Sequence, residues 1–300
     1  MDAVLEKAQP VLQRLLLAYE RVTTPTVVDA DHWINCGIVT GVVFLIIGLF
    51  HVIVAKRFKK VYFTCHVFVN AIVTYLVFPG TVRALLNPTT STVANNPAIA
   101  NSHMYLCWVF ALHVYHPIFF RTGMMDWIHH IPVYIVTVSI FGCLYGDVFC
   151  LQTIILTGVP GGLDYLLLVF EGEGWLSRAK YKDYSAMINN WVRAPLGFLS
   201  GYICFIGLYH QLQNPDPENT ATSYQIFVFV LMGIHALWNP PFFGRQAIEA
   251  NVVDIINRFE MVGVAGKGTD KKKPIKLPKV RALSGKAPKN TKDASPKKTM

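Results

Sequence analysis

Charged residues are scarce in this sequence. They make up 15% of its 300 residues, while hydrophobic residues make up 53%; a typical soluble domain carries about 25% charged residues. Apolar runs of about twenty residues recur along the chain, and each is long enough to cross about 30 Å of hydrocarbon. None shows the short alternating segments of a membrane barrel, so we expect an all-α, polytopic membrane protein.

Two further features are missing from the sequence. The first thirty residues contain acidic side chains and no long apolar core, so we expect no signal peptide. The cysteines are scattered through the apolar runs and form no metal-type pair, so we interpret them as small buried hydrophobes and expect no disulfide framework. They are Cys36, Cys65, Cys107, Cys143, Cys150 and Cys204.

Seven apolar segments are expected to span the membrane. Their approximate boundaries are 33–54, 61–81, 99–120, 126–146, 148–170, 194–213 and 223–243. The chain then divides into an amphipathic N-terminal segment, a transmembrane domain, a short amphipathic helix and a basic tail that we expect to be disordered. These regions are 1–30, 31–244, 245–262 and 263–300. We also expect the N-terminal helix to be interrupted at Pro10, and residues 172–192 to form an interfacial helix.

Charge sets the expected orientation. The loop after the first span, 55–60, holds four basic residues, and positive loops tend to stay in the cytosol. The acidic loop 214–222 then falls on the luminal side, and the C-terminus on the cytosolic side. Seven spans make every short loop consistent with this pattern.

The positive charge is concentrated in the tail. Twelve Lys or Arg residues face two Asp residues between Lys267 and Lys298, although the whole chain carries only +9. No folded motif accompanies these bases, so we expect membrane-surface contact and no nucleic acid. Lys297 and Lys298 stand at the positions of a dilysine retrieval signal, which predicts residence in the endoplasmic reticulum membrane and recognition by coat proteins.

Ionisable side chains inside spans are costly and therefore mark candidate functional residues. Histidines are concentrated in the third and fourth expected spans, and one carboxylate follows a glycine-rich stretch in the fifth. Together they predict a polar cavity that opens toward the cytosol. The candidates are His66, His113, His116, His129, His130, Asp126 and Asp164. Asp126 is also placed to cap its own helix, and Arg193 to reach lipid headgroups or a phosphate.

Two histidine chemistries do not fit the spacing. Membrane di-iron enzymes need several histidine boxes, including the HxxHH type, and elongases also carry such a box. Here His113-Val-Tyr-His116-Pro117 lacks the final histidine, and no second box exists. We therefore expect no metal site. A channel or transporter would be expected to show repeated halves, which the sequence lacks.

The stretch 121–202 resembles the TLC domain, which ceramide synthases, translocating-chain-associated membrane proteins and the ceroid-lipofuscinosis protein of the endoplasmic reticulum share. The likeness rests on His129-His130 opening a span, Asp164 in the next span and Arg193 before the following one. Ceramide synthases also carry a His-Asp pair, and Pro160 and Gly161 stand there in this chain. The resemblance thus implies a TLC-like bundle more than ceramide synthesis.

The resemblance implies a protein that binds or acts on lipid or acyl chains. As an enzyme, it would be an acyltransferase with acyl-CoA as cosubstrate and no bound cofactor. His129 or His130 would be the base or nucleophile, and Asp164 or Asp126 would orient it. The CoA phosphates would be attracted by the bases Arg178, Lys180, Lys182 and Arg193. The alternative is a non-enzymatic lipid sensor, cargo factor or translocation factor with the same fold.

The charge pattern makes a prediction about topology. An epitope tag after Met300 should be digested by protease added to sealed microsomes, because the basic tail stays in the cytosol. A tag placed in the acidic loop 214–222 should be protected until detergent opens the vesicles. Protection of the C-terminal tag in sealed vesicles would overturn both the orientation and the retrieval signal.

Overall fold

The computed structural model of the protein describes residues 2–23, 28–93, 103–143, 146–214 and 221–265. Every regular element in these ranges is a helix. The α-helices are α1 (Asp2–Thr23), α2 (Ala30–Val54), α3 (Val61–Leu86), α4 (Met104–Phe119), α5 (Met124–Phe141), α6 (Asp147–Thr153), α7 (Val159–Glu173), α8 (Arg178–Ile188), α9 (Ala194–Gln213) and α10 (Ser223–Ala265). Contacts divide the chain into two units, Met1–Ile255 and Ile256–Met300. The basic tail with Lys297 and Lys298 lies outside the described residues.

The helices have the lengths and surfaces of a multi-pass membrane protein. Five helical stretches are long and apolar enough to cross a membrane, and α4 is a shorter apolar helix. The five stretches are Ala30–Val54, Val61–Leu86, Asp147–Glu173, Arg178–Gln213 and Ser223–Phe259. Large apolar side chains remain exposed along α2, including Leu45, Leu49 and Val52. Apolar surface of this extent marks contact with a membrane or a partner.

Two expected helix boundaries are not observed. α1 runs through Pro10 without interruption, and its second half is held by packing, since Ala18 and Val22 are fully buried. α10 continues from the expected last span to Ala265, so residues 245–262 are not a separate helix. Within the range 172–192, expected to form an interfacial helix, the structure has α8, which runs through a π turn into α9.

α3 lies at the centre of the bundle and packs against α2, α4, α6 and α7. At one end, the backbone nitrogen of Lys59 donates to the Glu173 carboxylate at 2.6 Å. At the other end, the Arg83 guanidinium pairs with Asp147 at 3.0 Å. These contacts show that α6 and α7 together run antiparallel to α3. The end that carries loops 55–60 and 174–177 is called the basic end below.

The packing of α9 against α10 depends on glycine. A side-chain carbon added at Gly197 would meet the ring of Pro240 and, at 3.0 Å, the carbonyl of Ala236. Small residues allow membrane helices to approach closely, and packing is the main force between them. The close approach also supports the helix around Pro240 and Pro241, where proline removes backbone hydrogen bonds.

Gly197→Ala should therefore destabilise the bundle, because the new methyl group overlaps α10. We expect a loss of about 1–3 kcal/mol, seen as a lower melting temperature of the purified protein in detergent. Gly41→Ala is the matched control, since nothing lies within 4 Å of the added carbon there. Equal melting temperatures for the Gly197 variant and the wild type would contradict this packing.

Candidate functional site

A polar cavity of about 330 Å³ lies between the helices near the basic end. Its walls come from the start of α3, from α4 and α5, from both π turns, and from α7, α8 and α10. The lining residues are Tyr62, His66, Asn70, His113, Asp126, His129, Leu156, Thr157, Gly161, Asp164, Tyr165, Tyr181, Ser185, Asn189, Arg193, Asn239, Phe243, Gln246 and Ala247. Six of the eleven residues expected at the site are in this set.

Two π turns shape the wall of the cavity. They cover Ile154–Gly158 between α6 and α7, and Asn189–Arg193 between α8 and α9. Arg193 joins them, because its Nη2 donates to the carbonyl of Leu156 at 3.3 Å and its Nη1 to Asn189 Oδ1 at 3.0 Å. A π turn shifts the hydrogen-bond register of a helix, and such turns are common at functional sites.

Glycine brings α7 close to Arg193. A side-chain carbon at Gly161 would lie 3.1 Å from Arg193 Nη2 and 3.4 Å from Asn70 Nδ2. The missing side chain at Gly161 thus leaves room for the guanidinium. The π turn Ile154–Gly158 ends at the first residue of the glycine-rich stretch, so the helix departs from regular geometry there.

Asp164 and Arg193 bring opposite charges into the same cavity. Both side chains line the cavity together with Ser185, and the guanidinium charge acts on the Asp164 carboxyl without an ion pair within 4 Å. Asp164 Oδ1, Arg193 Nε and His66 Nε2 are buried atoms that have no hydrogen-bond partner among the described residues. Buried polar groups are almost always paired, so these atoms give the cavity unmet capacity for a polar ligand.

His129 and His113 form a pair in the cavity wall. His113 Nδ1 lies 2.7 Å from the carbonyl oxygen of Val109, and only an N–H can donate to that oxygen. Neutral His113 therefore presents an unprotonated Nε2, which lies 3.3 Å from His129 Nε2. His129 must donate this second hydrogen bond, which leaves its Nδ1 as the free base.

The partner that orients His129 is therefore His113. We expected a carboxylate, Asp164 or Asp126, in this role. Asp164 lines the same cavity, but among the described residues it makes no hydrogen bond to His129. Asp126 also lines the cavity, and its Oδ2 accepts from the backbone nitrogen of Gly123 at 2.6 Å. Asp126 thus caps α5, as its position at the helix start also predicted.

The other expected histidines support the wall from behind. His130 is 1% exposed and does not line the cavity; its ring packs on His113 and His116 at 5.1 and 5.5 Å between centroids. His116 is fully buried and lies 4.2 Å from the ring of His66, which does face the cavity. Of the two adjacent histidines, both inside the bundle, one lines the cavity. It is His129.

Of the four bases expected to bind CoA phosphates, Arg193 lines the cavity and the other three do not. Arg178 is exposed and pairs with Glu171 at 3.6 Å. Lys182 donates to the carbonyl of Ala250 at 3.1 Å and pairs with Asp254 at 3.5 Å. Lys180 is exposed on the same helix. Their helix instead turns Tyr181 and Ser185 to the cavity, since these two residues lie on a different face of α8.

Several lining residues were not predicted. Most are neutral polar or aromatic side chains, and single examples of these are common on buried helix faces. Two of them could have been predicted from their spacing. Asn70 follows His66 by four residues and Asn239 follows His235 by four, so each asparagine shares a helix face with a histidine. Beyond His129 the cavity adjoins a small apolar extension of about 40 Å³, lined by Leu106, Val133, Val136, Ile140 and Met232 among others.

Comparison with protein-family models, characterised proteins and solved structures finds no match for this chain. The site is therefore interpreted from its own geometry.

The pairing of charges across the cavity can be tested by a double-mutant cycle. Arg193→Leu should destabilise the protein by about 1–3 kcal/mol, because it leaves Asp164 and the Leu156 carbonyl without their partner. Asp164→Leu should have a smaller cost, and the double variant should lose less than the sum of the two. Melting curves in detergent measure all three, with Arg178→Leu as an exposed control.

Additive effects of the Arg193 and Asp164 substitutions would show that the two charges do not interact across the cavity. A large effect of Arg178→Leu would mean that charge at the basic end, rather than the cavity, controls stability.

Proposed function

We propose that the protein is a membrane-embedded acyltransferase that takes an acyl thioester such as acyl-CoA and transfers the acyl group to an acceptor in the membrane. The observation that carries the proposal is His129, held by His113 with a free Nδ1 in a cavity of polar groups with unmet hydrogen-bonding capacity. The cavity is within the size range of small-molecule sites.

The apolar extension beside His129 supports an acyl substrate. It begins at residues that also line the polar cavity, His129, Leu156, Thr157 and Asn239. A substrate with a polar reacting group and a hydrocarbon chain matches a polar cavity that leads into an apolar extension. The acyl carbonyl would lie near His129, with the start of its chain among the apolar residues.

In the proposed reaction, His129 Nδ1 removes the proton from an acceptor hydroxyl or amine as that atom attacks the thioester carbon. The carbon–sulfur bond then breaks, and the leaving thiolate takes the proton from the imidazolium. The positive charge that develops on His129 is shared through its hydrogen bond to neutral His113. Arg193 is the cationic group in the cavity for the oxyanion or for a phosphate of the cosubstrate.

We propose a TLC-like, seven-span arrangement for the membrane domain. α2, α3, α4, α5, the α6–α7 pair, α9 and the first part of α10 would cross the bilayer, with α1 and α8 at its surfaces. The basic end would face the cytosol, which is where CoA thioesters would reach the cavity. The proposed location is the endoplasmic reticulum membrane, with Lys297 and Lys298 recognised by coat proteins from a cytosolic tail.

A non-enzymatic lipid-binding role is the second candidate, in which the same cavity senses or carries a lipid. One observation favours it: among the described residues, no carboxylate is bonded to His129, so the imidazole lacks the anionic partner that many catalytic histidines have. The His-Asp pair of ceramide synthases is also missing, since Pro160 and Gly161 occupy its positions in this chain.

Acyl transfer is tested with purified, reconstituted protein and a mixture of acyl-CoA species. CoA release and acylated lipids are followed by mass spectrometry for the wild type, His129→Ala and His130→Ala. We expect His129→Ala to lose activity at least about 100-fold, because general-base catalysis contributes that much or more. His130→Ala should lose less, since His130 only packs behind the wall.

His210→Ala is the matched control, because His210 is exposed near the end of α9, away from the cavity. Unchanged CoA release by His129→Ala would contradict the proposed role of that residue. Lipid that co-purifies equally with all four proteins, without CoA release from any, would favour the non-enzymatic role.

A further inference from the structure

Two identical short patterns open α2 and α4. His32 and Cys36 are four residues apart at the start of α2, and His103 and Cys107 are four residues apart where α4 begins. Side chains at this spacing lie on the same face of a helix, one turn apart. Because α2 packs against α4, the two His-x-x-x-Cys pairs face one another across the helix interface.

The side chains of these pairs converge. His103 Nδ1 lies 2.9 Å from His32 Nε2, and His32 Nε2 lies 3.4 Å from Cys36 Sγ. One ligand atom from each of these three residues lies within 4.8 Å of the other two. Cys107 Sγ adjoins them, 3.8 Å from the carbonyl oxygen of Cys36. Two ligands of a tetrahedral zinc ion lie about 3.3–3.8 Å apart, given its bond lengths, so the separations need little adjustment.

The cluster is buried. His32 and Cys36 are 2% and 3% exposed, and His103 and Cys107 are fully buried. Within the part of the chain that the structure describes, the outer ring nitrogens, His32 Nδ1 and His103 Nε2, have no hydrogen-bond partner. At the contact between the rings, His103 Nδ1 and His32 Nε2 face each other, and in the neutral pair only one of these two nitrogens carries a proton. A cation at the point of convergence would engage the inner nitrogens and both thiolates together.

The surrounding backbone fixes the cluster in place. Asp29 caps α2 by accepting a hydrogen bond from the backbone nitrogen of His32 at 2.7 Å. The backbone nitrogen of His103 donates to the carbonyl of Val22 at the end of α1. The cluster therefore lies where α1, α2 and α4 meet. This is the end of the bundle opposite the basic end, so it is separate from the polar cavity.

We propose that His32, Cys36, His103 and Cys107 bind one zinc ion as a closed, four-coordinate site that clamps α1, α2 and α4 together. Two imidazoles and two thiolates are the Cys₂His₂ donor set of structural zinc sites, which leave no open position for catalysis. Cys107 completes the set by rotating its sulfur from the Cys36 carbonyl toward the other three ligands. We interpreted the cysteines from sequence as space-filling hydrophobes; the structure gives two of the six this different role.

The test uses the full-length protein purified in detergent without chelator. Metal analysis should find about one zinc ion per chain in the wild type and a loss of at least about 10-fold in Cys36→Ser and in Cys107→Ser. Cys204→Ser is the matched control and should keep its zinc, since that buried thiol donates to the Phe229 carbonyl elsewhere in the bundle.

Cobalt(II) gives a second measurement that does not depend on the variants folding well. Added to chelator-treated wild type, it should produce thiolate-to-cobalt charge-transfer absorption and tetrahedral visible bands, and zinc should remove both. Zinc should also raise the melting temperature of the treated protein. Absence of these bands, or zinc content unchanged in both cysteine variants, would overturn the proposal and leave a hydrogen-bonded His–His–Cys cluster. Neither result bears on acyl transfer, since the cavity is separate.

Discussion

The contact between Arg193 and the Leu156 carbonyl holds together the part of the bundle on which the cavity depends. Both residues belong to π turns, where the helix departs from its usual hydrogen-bond register and a carbonyl becomes available to another helix. A guanidinium inside an apolar bundle is expensive unless it is hydrogen-bonded and balanced by negative charge. Leu156 and Asn189 meet the first need, and Asp164 meets the second. The polar cavity surrounds this arrangement.

The sequence allowed much of this site to be predicted, because membrane segments make the few ionisable residues conspicuous. His129, Asp164 and Arg193 were selected for that reason, and all three line the same cavity. Their partners were harder to predict. Whether His129 bonds to Asp164 or to His113 depends on how α5 is rotated relative to α4 and α7, and helix periodicity within one segment does not fix that rotation.

The fold was predicted in the same uneven way. Apolar runs located the helices, since length and hydropathy are strong signals. Breaks were predicted at Pro10 and after residue 243, and neither occurs. Proline weakens a helix locally, but packing against neighbours decides whether it ends, as at Gly197 and Pro240. The two His-x-x-x-Cys pairs were not predicted as one site, because a single pair is common in apolar helices. Only the contact between α2 and α4 brings the four side chains together.

The π turns have a consequence for how this chain can change in length. Each can be regarded as an α-helix with one extra residue, and one residue rotates the side chains of a helix by about 100°. Deleting a single residue within Ile154–Gly158 would restore a regular helix and turn Asp164 away from Leu156 and Thr157 by that angle. The number of residues in these two helices is therefore constrained as tightly as the identity of the polar side chains. Insertions and deletions that leave every cavity residue intact would still dismantle the cavity.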